Sequence, residues 1–313
     1  MTLHPLDFRG ALLGLAAGDA LGTTVEFKPR GTFTPLTGIV GGGPFGLRAG
    51  QWTDDTSMAL CLADSLIACK GMDLADQAER YLAWWRNGEN SVTGTCFDIG
   101  NTVRSALVKY RSTGEPESGS TDPRSAGNGS IMRLAPVPMF FACRPANAVE
   151  AAAASSGTTH GAAEAVDACR LLAALVAGAL HGRGKDELLD PDFGPGFAGL
   201  DGSSLAPKID AIRRGNYKTT DRNVIRGTGY VVDSLRAALW AFWSSGSFEE
   251  GALLAVNLGD DADTTGAVYG QLAGAHYGAD GIPADWRGVL AWHDRIAGVA
   301  DKLHRLAQQA DKQ

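Results

Sequence analysis

The chain is short of several things, and each shortage excludes a class of protein. Its 313 residues include only five cysteines (Cys61, Cys69, Cys96, Cys143 and Cys169), irregularly spaced and without a Cys-x-x-Cys pair. Neither a disulfide framework nor a cysteine-based metal site follows from them, and they read as reduced thiols in a cytoplasm. Long apolar runs are missing as well. The stretch "LLAALVAGAL" (171–180) is too short to span a bilayer. Near the N-terminus, "ALLGLAAGDALG" is interrupted by Asp19 and followed by no cleavage site, so it is not read as a secretory leader. Positive charge is in deficit, 28 Lys and Arg against 35 Asp and Glu, for a formal net charge of −7. That balance argues against nucleic acid or an anionic membrane as an obligatory partner. Alternating β-branched segments are nearly absent, which leaves little material for a sheet.

What the chain does have is helical periodicity. Apolar residues recur at three- to four-residue spacing over 8–22, 55–69, 74–86, 98–111, 147–154, 162–181, 229–244, 249–257, 264–277 and 286–308. The expectation is an all-α protein, a compact helical bundle forming a single domain over 1–313, and a monomer. Three long polar or Gly/Pro-rich stretches, 28–51, 112–130 and 183–223, read as loops of functional length. Two helices share an unusual pattern: Gly10, Gly14, Gly18 and Gly22 fall at four-residue steps, as do Gly266, Gly270, Gly274 and Gly278. Each interior helical glycine costs roughly 0.5–1 kcal/mol relative to alanine. Four on one face predict close approach of another backbone, and the two ridges are expected to meet beside a site.

Two acidic knots lie far apart, "WTDDTS" (52–57) and "GDDADTTG" (259–266), each at the start of a predicted helix. Capping and the helix dipole account for one acid apiece. They do not account for the rest. If Asp54, Asp55, Asp261 and Asp263 converged at ~6 Å, each pair would repel by about 3 kcal/mol at an effective dielectric near 20. Convergence therefore implies a cation. Carboxylate and hydroxyl oxygens without neighbouring His or Cys suit Mg²⁺ or Mn²⁺, and the ligand supply suits two ions sharing bridging groups.

These blocks, with "GALLGLAAGDALGTTVEF", "CFDIGNTVRSAL", "AGNGSIMRLAPV", "TTHG" and "GYVVDSLRAALWAF" in the same order, resemble the ADP-ribosylglycohydrolases. The likeness covers almost the whole chain and is nearest to the bacterial dinitrogenase-reductase-activating type, which acts on ADP-ribosyl-arginine. The resemblance implies a dimetal hydrolase with Thr53, Asp54, Asp55, Asp261, Asp263 and Thr264 as metal ligands. It implies Asp98 and Glu26 as catalytic acids, with Glu26 and loop 28–51 as a candidate lid. Ser125, Gly127, Asn128 and Gly129 are implied on the diphosphate, His160 on ribose or phosphate, Tyr230 on adenine and Asn101 on the substrate face. Asp260, where many members have glycine, is left out. Locally, Asp98 also reads as an ordinary helix cap, Gly127 and Gly129 as a turn, the "IMRLA" (131–135) after them as the start of a helix, and Tyr230 as a rim aromatic.

Arginine on a protein is the acceptor favoured by "CFDIGN", with serine, a nucleic-acid base, a small conjugate or a silent ADP-ribose binder as alternatives. "DADTT" (261–265) also fits the Asp-x-Asp-x-Thr of haloacid-dehalogenase-type phosphatases. That motif follows an apolar strand near the start of its fold, whereas "EEGALLAVNLG" reads as helix and turn.

Overall fold

The periodic segments become helices, and the helices hang on one central pair. The computed structural model describes residues 3–310. In chain order the helices are α1 (Pro5–Gly22), α2 (Asp54–Cys69), α3 (Leu74–Asn87), α4 (Asn101–Thr113) and α5 (Pro136–Phe140). Next come α6 (Pro145–Gly157), α7 (Ala163–Leu180), α8 (Lys185–Leu188), α9 (Phe193–Ala198) and α10 (Pro207–Arg213). The last are α11 (Val231–Ser244), α12 (Phe248–Val256), α13 (Ala262–Tyr277), α14 (Ala284–Val289) and α15 (His293–Ala310). Among the described residues extended backbone pairs only at isolated bridges, including Ser120 with His160 and Gly127 with Tyr230. The protein is all-α. No described helix is long and apolar enough to cross a membrane.

The two glycine ridges meet. Helices α1 and α13 run antiparallel, and a methyl built on Gly10, Gly14 or Gly18 would fall 2.1, 2.4 or 2.1 Å from the carbonyl oxygen of Gly274, Gly270 or Gly266. The reverse holds too, with Gly10 O 1.9 Å from a methyl on Gly274 and Gly14 O 2.0 Å from one on Gly270. Gly22 meets Ala262 at the end nearest the acidic knots. Gly278 closes the ridge at its far end, its carbonyl carbon 2.7 Å from a methyl built on Gly10, and ends α13 at φ 71°. The backbones thus approach to a distance that any side chain would block, which recovers the helical cost of glycine through contact. Around this pair a continuous apolar core runs from Leu3 to Ala307. A smaller cluster of Met58, Tyr81, Trp84, Val103 and Leu107 joins α2, α3 and α4.

Four sequence expectations are corrected. The helix predicted from 98 begins at Asn101, because Asp98 is left-handed (φ 59°) and Gly100 is the extended N-cap. Asp98 is therefore no cap. The segment 286–308 is two helices. Its break at 290–292 is imposed by tertiary pairing: Ala291 N–H donates to Gly50 O and Trp52 Nε1 to Ala291 O, while the Trp292 ring meets Trp52 edge-on at 5.2 Å. The stretch 183–223 is not one loop but holds α8, α9 and α10, each too short to show a period. Finally, "IMRLA" (131–135) forms turns, and the helix after it starts at Pro136.

Candidate metal and substrate site

Asp19 organises the floor of the site. It sits on α1 beside the glycine ridge, fully buried, and receives four hydrogen bonds from the start of α2. Thr53 N–H and Oγ1–H donate to Oδ1, both at 2.9 Å, and Thr56 N–H and Oγ1–H to Oδ2 at 3.0 and 2.6 Å. One carboxylate thus caps a neighbouring helix and absorbs charge–dipole strain there. Burial nonetheless raises its pKa to about 6. Sequence reading noted Asp19 only as a break in an apolar run; a lone acid among small apolar residues was the available signal.

Thr53 Oγ1 also lies 3.2 Å from Asp263 Oδ2 and 3.4 Å from Asp55 Oδ2, and Thr264 Oγ1 lies 3.4 Å from that same Asp55 oxygen. A hydroxyl has one proton. The shortest contact of Thr53, to Asp19, takes it, so its remaining lone pairs face two carboxylates. Thr53, Asp55, Asp263 and Thr264, drawn from positions some two hundred residues apart, therefore form one oxygen cluster. Asp54 and Asp261 stand on the wall beside it, Asp261 receiving Asn128 Nδ2 at 2.8 Å.

Glu26 and Asp98 join this cluster. One carboxylate oxygen from each lies within 4.8 Å of the other and of one from Asp263. Burial first, and neighbouring carboxylates second, push Asp54, Asp55 and Asp263 well above the usual carboxylate range. The same causes raise Glu26 to about 9, with Asp98 its chief neighbour, and Asp98 to about 7, with Asp261 its chief neighbour. Two buried oxygens, Glu26 Oε2 and Asp55 Oδ1, have no hydrogen-bond partner. Among the described residues lining the cleft there is no lysine or arginine. Buried, unpartnered carboxylates with hydroxyl lone pairs between them fit a hard divalent cation and little else.

Above this floor opens a cleft of about 350 Å³. Asp98, Asn101, Gly127, Asn128, Gly129 and His160 line it together with the acids of the floor. The backbone holds the glycine segment in place: Asn128 N–H donates to Gly229 O, and Val231 N–H to Ala126 O. Glycine is required at 129, where a methyl would come within 2.8 Å of the His160 ring. Of the residues expected to bind substrate, two do not line this cleft. Ser125 donates to Asp122 O at 2.7 Å and faces an adjoining groove that shares Asn101 and Thr102 with the cleft. Tyr230 N-caps α11, and its phenol is bound to Glu164 and to Lys208 Nζ. The expected lid, 28–51, is tied down by Thr24 Oγ1 to Gly41 O and by the paired bonds of Asn257 with Leu36.

Non-glycine residues with left-handed backbone gather here. Phe27 (φ 63°) and Asp98 (φ 59°) line the cleft, and Asp260 (φ 57°) lies behind Phe27, linked to it by Phe27 N–H to Asp260 O at 2.7 Å. Such conformations cost of order 1–3 kcal/mol each and cluster at functional sites.

The all-α fold, with a buried cluster of carboxylate and hydroxyl oxygens under a glycine-walled cleft, is that of a hydrolase class: the chain belongs to the ADP-ribosylglycohydrolase family, whose model matches residues 6–313. It is 48% identical to the ADP-ribosylarginine hydrolase Tri1 of Pseudomonas putida (strain GB-1), over 97% of this chain and 79% of that one. It is 34% identical to the ADP-ribosyl-[dinitrogen reductase] glycohydrolase of Rhodospirillum rubrum, over 90% and 89% of the two chains. A solved structure described as an ADP-ribosylglycohydrolase-related protein complex superposes with a TM-score of 0.84 at 44% identity, covering 97% of this chain and 99% of that one.

Proposed function

We propose that the chain is a single-domain, monomeric, cytoplasmic enzyme that hydrolyses the N-glycosidic bond between ADP-ribose and an arginine side chain of a protein. Two Mg²⁺ or Mn²⁺ ions serve as cofactors. The observation that carries this reading is the set of buried carboxylates without a counter-cation, beside a cleft also lined by Gly127, Asn128, Gly129 and His160. The activities named for the Pseudomonas and Rhodospirillum relatives support arginine as the acceptor.

In this reading Thr53, Asp54, Asp55, Asp261, Asp263 and Thr264 hold the ions. Bound divalent cations supply Lewis acidity toward ribose hydroxyls and lower the pKa of water. The chain's own residues do the rest. Gly127, Asn128, Gly129 and His160 hold the diphosphate with Ser125 reaching it from the adjoining groove, Asn101 meets the substrate on the face of Asp98, and Tyr230 meets adenine from the rim. Water adds to the anomeric carbon as its bond to the guanidino nitrogen breaks through a cation-like state. Asp98 takes the proton from that water and returns one to the departing nitrogen; Glu26 supports substrate and metal exchange.

Protein stripped of metal, refilled with Mn²⁺ and offered ADP-ribosylated arginine, serine and nucleotide substrates tests the proposal. Release of ADP-ribose from the arginine substrate alone is expected, and turnover of serine substrates in its place overturns it. General acid–base help is worth about 10²–10⁴-fold, so Asp98→Asn is expected to lose that much kcat with metal content intact, and Glu26→Gln less. The opposite ranking reverses the two roles.

A further inference from the structure

Behind the glycine wall lies a charge that the site does not yet explain. Arg133 is completely buried, with its guanidinium 4.3 Å from the centre of the Tyr81 ring. Its hydrogen-bond partners are all neutral: Ser155 O at 3.4 Å, Thr158 Oγ1 at 3.2 Å, Thr159 Oγ1 at 2.8 Å and Met58 Sδ at 3.8 Å. Its Nε has no partner at all. A buried cation held by neutral acceptors is expensive, and such an arrangement is rarely kept for stability alone. What it touches gives the reason.

Thr159 is also fully buried, and its Oγ1 has a second partner, His160 Nδ1, at 2.9 Å. Guanidinium nitrogens only donate. Thr159 Oγ1 therefore accepts from Arg133, and its single proton is left to satisfy. The available acceptor is His160 Nδ1; the alternative, Nδ1–H donating to Thr159, would strand a buried hydroxyl proton. With Nδ1 accepting, a neutral imidazole carries its proton on Nε2. That atom points between Gly127 and Gly129, 3.3 and 3.2 Å from methyls built at those positions, on the wall of the cleft.

We infer that Arg133, acting through Thr159, is a positioning residue that fixes His160 as a neutral Nε2–H donor aimed into the cleft. Burial and the nearby Arg133 charge hold the His160 pKa down to about 3, in keeping with a neutral ring. The consequence for binding rests on the proposed function: the acceptor of Nε2–H is a diphosphate oxygen, and a fixed neutral donor contributes orientation without drawing in competing anions as an imidazolium would. The relay itself does not depend on the substrate.

The test uses ¹⁵N-labelled, Mg²⁺-loaded protein. Long-range ¹H–¹⁵N correlation identifies the protonated ring nitrogen, with the His160 signals recognised by their loss in His160→Gln. The Nε2–H form is expected in the wild type. Thr159→Val keeps the shape and removes the hydroxyl; it is expected to bring in the Nδ1–H form and to raise KM for ADP-ribosyl-arginine about tenfold, the loss of one charge-assisted hydrogen bond, with kcat little changed. Thr159→Ser is expected to restore both. An Nδ1–H wild type overturns the inference, as does Thr159→Val with tautomer and KM unmoved. If the tautomer shifts as described while the wild type leaves ADP-ribosyl-arginine intact, the relay stands and the substrate assignment fails.

Discussion

Replacing Gly18 with alanine is a one-methyl change whose effect the structure sets in both sign and size. On an open helix surface the substitution would stabilise by roughly 0.5–1 kcal/mol, because alanine restricts the unfolded chain and favours helix. At Gly18 the new methyl would lie 2.1 Å from Gly266 O and 2.4 Å from Gly266 C. These are backbone atoms inside a helix and cannot swing aside, so α1 and α13 must separate by more than 1 Å to reach ordinary contact. Overpacking of this kind costs about 1–3 kcal/mol and sometimes more, so the net expectation is a loss of about 2 kcal/mol. With an unfolding entropy of about 2.1 cal/mol/K per residue over 313 residues, that is a fall in Tm of roughly 3 °C. The position adds a second readout. Gly18 adjoins Asp19, and Gly266 follows Thr264 by two residues, so separation at this point moves the two halves of the oxygen cluster apart. Gly10 lies eight residues earlier, about 12 Å along the helix axis, with an equally close contact to Gly274 O. Thermal unfolding of metal-free protein and Mn²⁺ titration of the folded protein should therefore separate the variants: both lose stability, but Gly18→Ala loses metal affinity far more than Gly10→Ala. A Gly18→Ala protein with Tm unchanged or raised refutes the close-packed ridge.

Three further outcomes follow from the site. Asp55→Ala, removing a buried carboxylate with an unpartnered oxygen, should abolish one or both bound Mn²⁺ equivalents by direct metal counting, and retention of full stoichiometry counts against the cation assignment. Asp19→Ala strands the Thr53 and Thr56 amides and frees the Thr53 hydroxyl to rotate, so metal affinity should fall about 10–100-fold, as for partners of metal ligands generally, measured by competition with a chelator. His160 has its pKa lowered from 6.5 to about 3 in the fold, chiefly by burial and then by Arg133; the unfolded chain takes up a proton below about 6.5 that the folded one refuses, so this contribution is complete above 6.5 and declines as pH falls toward 3. Wild type should accordingly lose about 2 kcal/mol more than His160→Gln between pH 7 and pH 5 in denaturant titrations, and parallel pH dependences would show that His160 is not buried neutral.

How much of this was legible in the sequence depends on the range of the signal. The helix class and the glycine ridges were visible because period and spacing repeat over four turns. The pairing of α1 with α13 followed because two matched ridges have one efficient use. The acidic knots announced a buried oxygen cluster through a simple excess of carboxylates over capping need. Asp98 was misplaced at a helix start because its left-handed backbone, like that of Phe27 and Asp260, is imposed by contacts distant in sequence. Asp19 and Arg133 were passed over for the same reason. Each is a lone polar residue in an apolar stretch, and only the fold reveals what it meets. The helices of 183–223 were missed because four to seven residues cannot display a period.

The contact of Thr53 with Asp263 joins residues 210 positions apart, and this has a consequence for how the molecule comes into being. Closing a loop of that length costs roughly 5 kcal/mol in chain entropy by logarithmic scaling, and nothing local offsets it until α13 is seated on α1. High sequence separation of this sort slows folding. During synthesis α1 is among the first helices made, yet its glycine ridge, Gly10 to Gly22, has no matching surface until α13, ending at residue 277, has left the ribosome. A partly made or C-terminally shortened chain therefore presents an apolar helix and half a set of carboxylates. If the proposed cation binds the assembled cluster, its binding reports that α13 has been made and seated on α1.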